Sequence, residues 1–162
     1  MSIVQEADQG YNVPSAQTNT LIGSFTAPSG TDFLIFACSL YTSAGRQVTG
    51  LQFNGDAASK HDDFSPTVNG NMGSSIWYLA NPDTGSSYEI RWWSSGAATV
   101  GDLLAIALSG VDLTTPFGTA AKAEGSTGTD GTVDVASTSD GLVIDVYSGR
   151  KTVTVGSGQT EY

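Results

Sequence analysis

Few residues in this chain could do chemistry on their own. There is one histidine, His61, followed by Asp62 and Asp63 in "SKHDDFSP", one cysteine, Cys38, and sixteen carboxylates. A histidine beside two aspartates has the groups for proton transfer or metal ligation. Adjacent residues of an extended segment point different ways, however, and no second histidine or cysteine completes a ligand set. His61 is therefore read as part of a solvated loop. Cys38 lies inside the apolar run "DFLIFACSLY", which predicts a small buried hydrophobe and not a reactive thiol. Glycoside hydrolysis needs two carboxylates about 5–9 Å apart. No motif pairs any two of the acids, and Glu89 stands beside Arg91, where a surface ion pair accounts for it. "TDGTVD" and "SDG" offer oxygen ligands without the ordered spacing of a calcium loop, and turn formation explains them. The expectation is a chain with no catalytic residue, no cofactor and no metal, and hence not an enzyme.

The more informative feature is aromatic. "SIWYLANPDTGSSYEIRWW", Ser75 to Trp93, holds all three tryptophans and two of the six tyrosines. If two strands pair across "NPDTG" with Leu79 opposite Tyr88, Trp77 meets Ile90 and Ser75 meets Trp92, which makes one coherent apolar face. That reading assigns Trp77, Leu79, Tyr88, Ile90 and Trp92 to the core. It leaves Tyr78, Glu89, Arg91 and Trp93 on the outward face as candidate contacts for a protein partner or a glycan, since exposed rings beside charges serve both.

These residues must be held by strands. Glycine, serine and threonine are abundant, charged residues make up 14%, and no run shows the apolar spacing of a long amphipathic helix. Short apolar segments recur: "NTLIGSFTA", "DFLIFACSLY", "VTGLQFN", "SSIWYLA", "SYEIRWW", "GDLLAIALSG", "TVDVAS", "GLVIDVYS" and "KTVTVGSG". Turn clusters such as "APSGT", "TSAGR" and "TSDG" separate them. This predicts an all-β chain, a single antiparallel β-sandwich over residues 1–162 with jelly-roll-like or immunoglobulin-like topology. "AEGSTGTDGT" reads as a long surface loop. Asp32–Tyr41 and Leu103–Leu108 are apolar on both parities, so each should be a central strand whose second face is covered, by a loop of the same chain or by a neighbouring subunit.

The formal charge of −10, from 16 acidic and 6 basic residues, offers no basic stripe for a phosphate backbone and argues against nucleic acid. An acidic surface and the lack of an apolar run near the ~20 residues of a bilayer span argue against a membrane partner. "MSIVQEADQG" has neither the basic nor the apolar region of a secretory signal, so synthesis in the cytoplasm without Sec export is expected.

The aromatic stretch, followed by "AIALSGVDLTTPFG", "GLVIDVYSG" and "VGSGQTEY", resembles a β-sandwich module of phage virion proteins and large bacterial extracellular proteins. That pattern has a W-Y-L-x-N-P-x-x-G segment, a strand ending in G-V-D-x-T-T-P-F, and a later G-x-G-Q-T. "GVDLTTPFG" itself reads as a corner, with Asp112 and the threonines capping local amides. The resemblance implies a non-enzymatic virion structural protein, a capsid decoration or cement protein on the capsid surface. Its partners would be the major capsid protein and copies of itself. The alternative it leaves open is a carbohydrate-binding module of a tail fibre or cell-surface protein. The module continues with further strand-forming sequence after G-x-G-Q-T, whereas this chain ends at Tyr162. A missing final C-terminal strand, or an edge completed by a neighbouring subunit, is the corresponding expectation.

Overall fold

In the computed structural model, residues 2–14, 18–41, 46–64, 72–96, 100–123, 135–136 and 140–148 are described. Among these residues there are nine strands: β1 (Val4–Pro14), β2 (Asn19–Thr26), β3 (Phe33–Tyr41), β4 (Val48–Phe53), β5 (Asp56–Ala57), β6 (Ser59–Phe64), β7 (Met72–Ala80), β8 (Ser87–Ser94) and β9 (Val100–Ser109). All pair antiparallel, in a five-stranded sheet of order β1-β9-β3-β7-β6 and a four-stranded sheet of order β2-β8-β4-β5. The expected all-β sandwich is found. Of the two topologies anticipated, the jelly roll is the one formed: β1·β9, β2·β8, β3·β7 and β4·β5 are nested pairs of one ribbon, folded at Asn54-Gly55 and rolled so that successive pairs alternate between sheets. β6 is an extra edge strand beside β7.

The ribbon's tip is chemically determined. Asn54 and Gly55 have φ of 51° and 88°, and Phe53 pairs with Asp56. This is the two-residue hairpin for which Asn-Gly is the preferred sequence, because both positions need φ > 0. The ladder also continues around the corners where the ribbon passes between sheets. Asn81 N–H donates to Asp32 O at 2.8 Å, Gly85 N–H to Ala27 O at 2.8 Å, and Ser94 N–H to Thr18 O at 3.3 Å.

This topology corrects the expected β7–β8 hairpin. "NPDTG" carries the chain from one sheet to the other, so β7 pairs with β3 and β6, and β8 pairs with β2 and β4. Trp77, Leu79, Tyr88, Ile90 and Trp92 do point into the common core, but from opposing sheets. Alternation fixed the faces correctly; locality was the wrong guide to the partner.

Two apolar layers result. Between the sheets lie Leu34, Phe36, Cys38, Leu40, Leu51, Phe53, Ile90, Trp92 and Leu103, each 2% exposed or less. Burial pushes the Cys38 thiol well above its ordinary range, against a hydrogen bond to Ser75 that acts the other way, so it is an inert core group. The second layer covers the outer face of the five-stranded sheet: Phe33, Ile35, Ile106 and Leu108, with Ile76, Tyr78, Val111, Phe117 and Ile144 packed on them. β3 is central, β9 lies beside it, and their second face is covered by the chain itself.

Four further differences from the sequence reading have local causes. β1 and β6 were not anticipated, because "VQEADQGYNVP" and "SKHDDF" are polar edge strands without an apolar run. His61 is in β6 and not in a loop. Gly141–Ser148 is not a strand: it crosses the covered face with Ile144 inward while Leu142, Val143 and Tyr147 stay exposed, so it lays down one anchor instead of a ladder. Val135–Ala136 of "TVDVAS" is likewise not in a strand. "KTVTVGSG", most of "AEGSTGTDGT" and the chain end lie outside the described residues.

Two contacts between the sheets yield predictions. Gly101 faces Trp92 so closely that a Cβ there would lie 2.6 Å from the indole and 2.8 Å from Leu40. Gly101→Ala is expected to cost about 1–3 kcal/mol by overpacking, while Gly118→Ala, with open space around it, leaves stability unchanged; urea unfolding of both variants is the check. Tyr11 of β1 closes one side of the sandwich by donating its hydroxyl to Ser24 O of β2 at 2.8 Å, with its ring against Gly23. Burial raises its pKa from the ordinary 10.0 to about 12. A raised folded-state pKa favours the protonated phenol, so this contribution is full below about pH 10 and lost as pH climbs from about 10 to 12. The urea midpoint should therefore fall over that window, and less steeply in Tyr11→Phe.

Candidate functional site

The four residues expected to face outward divide between the two outer faces. Tyr78 belongs to the five-stranded sheet. Its ring stacks on Phe33 at 5.4 Å and meets Phe117 edge-on at 5.0 Å, inside the covered apolar layer. Glu89, Arg91 and Trp93 alternate along β8 on the outer face of the other sheet. The grouping of Tyr78 with them is thus corrected, for the same reason as the hairpin: β7 and β8 lie in different sheets.

Tyr78 is covered by the segment that follows β9. Gly110, at φ 73°, turns the chain and donates its N–H to Asp32 Oδ2 at 2.8 Å. Asp112 then accepts from Thr114 N–H at 2.9 Å and from the Thr115 hydroxyl at 2.8 Å, which holds its carboxyl below the usual range. "GVDLTTPFG" is a corner, as its sequence indicates. Beyond it Phe117 stacks on His61 at 3.8 Å, and Lys122 bridges to Asp62 Oδ1 at 2.5 Å and Asp63 O at 2.6 Å. At Asp62 desolvation raises the pKa, but the hydrogen bonds from Lys122 and the Asp63 amide, with the charges of Lys122 and His61, outweigh it and lower the pKa. His61 and its aspartates anchor this covering segment. Among the described residues, no three of His, Cys, Asp and Glu are grouped so as to hold a metal.

Among the described residues, no segment lies across the other face. Cross-strand pairs give it three rows: Asn19, Trp93 and Gly50; Leu21, Arg91 and Gln52; then Ser24 and Glu89, with Asn54 donating its N–H to Glu89 O at 3.0 Å. Leu21, on edge strand β2, is 48% exposed. Trp93 lies alongside Gly50, its nearest ring atom 3.5 Å from where a Cβ would stand, so no side chain rises beside the indole from β4. Glu89 Oε2 accepts from Arg91 Nε and pairs with Nη2, both at 3.2 Å. Asn54 Nδ2 donates to Asp83 at 2.6 Å. On the outer face of the paired strands β4 and β8, toward the Asn54-Gly55 turn, is a shallow groove of about 240 Å³ lined by Gln52, Asn54, Gly55, Glu89 and Arg91.

Gln52, Asn54 and Leu21 are the members that sequence reasoning missed. They come from strands that neighbour β8 only through the rolled ribbon. Asn54-Gly55 was the available signal, since a two-residue turn there brings Asp56 and Ala57 back against β4 and leaves β4's other edge for a distant strand. Comparison with known proteins found no matching family model, no matching curated protein and no matching solved structure.

Of the three tryptophans, Trp92 is fully buried, Trp77 is buried with Nε1 donating to Ser75 Oγ at 2.9 Å, and Trp93 is partly exposed. Acrylamide should therefore quench Trp93 selectively. Trp93→Phe is expected to leave a blue-shifted, quench-resistant emission; strong residual quenching would contradict this placement.

Proposed function

We propose that this chain is a non-enzymatic virion structural protein, a capsid decoration or cement protein that binds the outer capsid shell. The observation that carries the reading is the inequality of the two outer faces. The chain covers one with Val111, Phe117 and Ile144, whereas on the other, among the described residues, Leu21 of edge strand β2 is exposed and Arg91 and Trp93 of β8 are partly exposed. A leucine and an indole beside an arginine have the composition of a docking patch, in which a few apolar or aromatic anchors supply most of the binding energy. The resemblance of the Ser75–Trp93, "GVDLTTPFG" and "GSGQTEY" segments to phage virion modules supports the same reading. So does the jelly roll, an architecture used by capsid proteins, although it serves lectins as well. The partners on this reading are the major capsid protein and neighbouring copies of the chain.

Co-sedimentation with purified expanded capsids tests it. The chain is expected to saturate the shell at a fixed ratio to the major capsid protein, and Leu21→Asp, a substitution on an exposed position, to weaken that binding by about tenfold, the scale of one lost anchor. Failure to bind expanded capsids across a range of salt would overturn the proposal.

A further inference from the structure

We infer that the groove on the outer face of the β4–β8 pair is a subsite for a neutral sugar unit, with Trp93, next to it along β8, as the stacking ring. The inference does not rest on the virion reading. Every group lining the groove is polar or backbone: the Gln52 and Asn54 amides, the Glu89 carboxylate, the Arg91 guanidinium and Gly55. The aliphatic stems of Gln52, Glu89 and Arg91 add apolar surface among these polar groups, as the C–H faces of a sugar require. Vicinal hydroxyls, each both donor and acceptor, match this mixture of planar donors and acceptors.

The groups are also held in place. Asn54 gives Nδ2 to Asp83, which turns its carbonyl oxygen free to accept, and Arg91 is braced by Glu89. Asn54 itself sits at φ 51° in the turn and has little freedom to move away. Charge narrows the ligand further. Glu89 and Arg91 offset each other, and the whole chain carries −10, so neither a polyanion nor an acidic glycan is favoured over a neutral one.

The stacking element completes the subsite. Trp93 stands two residues from Arg91 on the same face of β8, at about 6.6 Å by strand rise. Its cross-strand partner Gly50 puts no side chain beside the indole. A sugar ring laid on the indole by its C–H face would direct its hydroxyls toward Arg91 and Gln52. At about 240 Å³ the groove is below the roughly 300–1,000 Å³ of drug or cofactor pockets, consistent with a short stretch of saccharide on an open surface.

The test uses the full chain on an array of neutral gluco-, manno-, xylo- and galacto-oligosaccharides together with uronate-containing ones, followed by titration of the best neutral oligosaccharide against tryptophan fluorescence. Binding of a neutral class is expected, with little salt dependence. Trp93→Ala and Gln52→Ala should each weaken it by about tenfold, the scale of one aromatic or hydrogen-bonded contact, while Gly118→Ala, away from this face and with open space around it, retains it. A circular dichroism melt confirms that each variant is folded. No neutral ligand at millimolar concentration, binding unaffected by both groove variants, or binding only of uronates that is lost with salt would each overturn the inference. Capsid binding by Gln52→Ala is measured in parallel: its retention while glycan binding fails leaves the virion reading standing, and the reverse result removes the virion reading alone.

Discussion

The structure depends on one constraint, the mirror pairing of strands about Asn54-Gly55. β4 with β5, β3 with β7, β2 with β8 and β1 with β9 are successive stretches of a single antiparallel ribbon, and among the strands of the described residues only β6 stands outside the scheme. A ribbon of this length cannot bury its apolar face while flat, so it folds over at each corner. The backbone bonds from Asn81, Gly85 and Ser94 keep its two strands in step as it does so. Most contacts are consequently between residues far apart in sequence. The loop-closure entropy of the outer pairs is offset only after the inner ones exist, an ordering that makes a tight, strain-free turn at the tip valuable.

From that pairing follows the difference between the faces. The five-stranded sheet combines β3 and β9, apolar on both parities, and must be covered twice. The inner covering is the other sheet. The outer one is made by Val111, Phe117 and Ile144, fixed at one side by His61, Asp62 and Lys122. Those polar groups are the ones that look chemical in sequence. Their work is mechanical: the ion pair and the stacked imidazole hold an apolar residue over an apolar sheet. In the four-stranded sheet the outer parity of β4 and β8 is mostly polar, so that face has little apolar surface that needs a cover.

What could be read from the sequence, and what could not, divides along the same line. Alternation is local, and it assigned Trp77, Ile90 and Trp92 to the core, split Leu34, Phe36, Cys38 and Leu40 from Phe33 and Ile35, and did the same for β9. Pairing is not local in a rolled ribbon, so the assumption that β7 turns back on β8 failed although each face was right. The same assumption placed Tyr78 beside Trp93. The polar strands β1 and β6 carry no period because, at sheet edges, they have less apolar surface to bury. Gln52 and Asn54 were illegible as site residues for a related reason: nothing in the sequence around β8 says that β4 is its neighbour.

The loss of Tyr78 from the open face bears on function. A surface with two rings could clamp a ligand from two points, but the actual surface has one indole, one exposed leucine and a shallow polar groove. One ring and a few solvent-exposed hydrogen bonds give an individual copy only weak affinity, because each bond replaces one to water and the groove excludes little of it. Useful avidity then has to come from repetition, where linked or arrayed copies gain a factor of roughly 10²–10⁴ over a single site. A surface that is weak alone and effective in number suits a protein displayed at many equivalent positions. Both proposed readings use Arg91 and Trp93 of this one face, so a copy docked through it has its sugar subsite covered, and for any one copy the capsid-docking and sugar-binding proposals are alternatives.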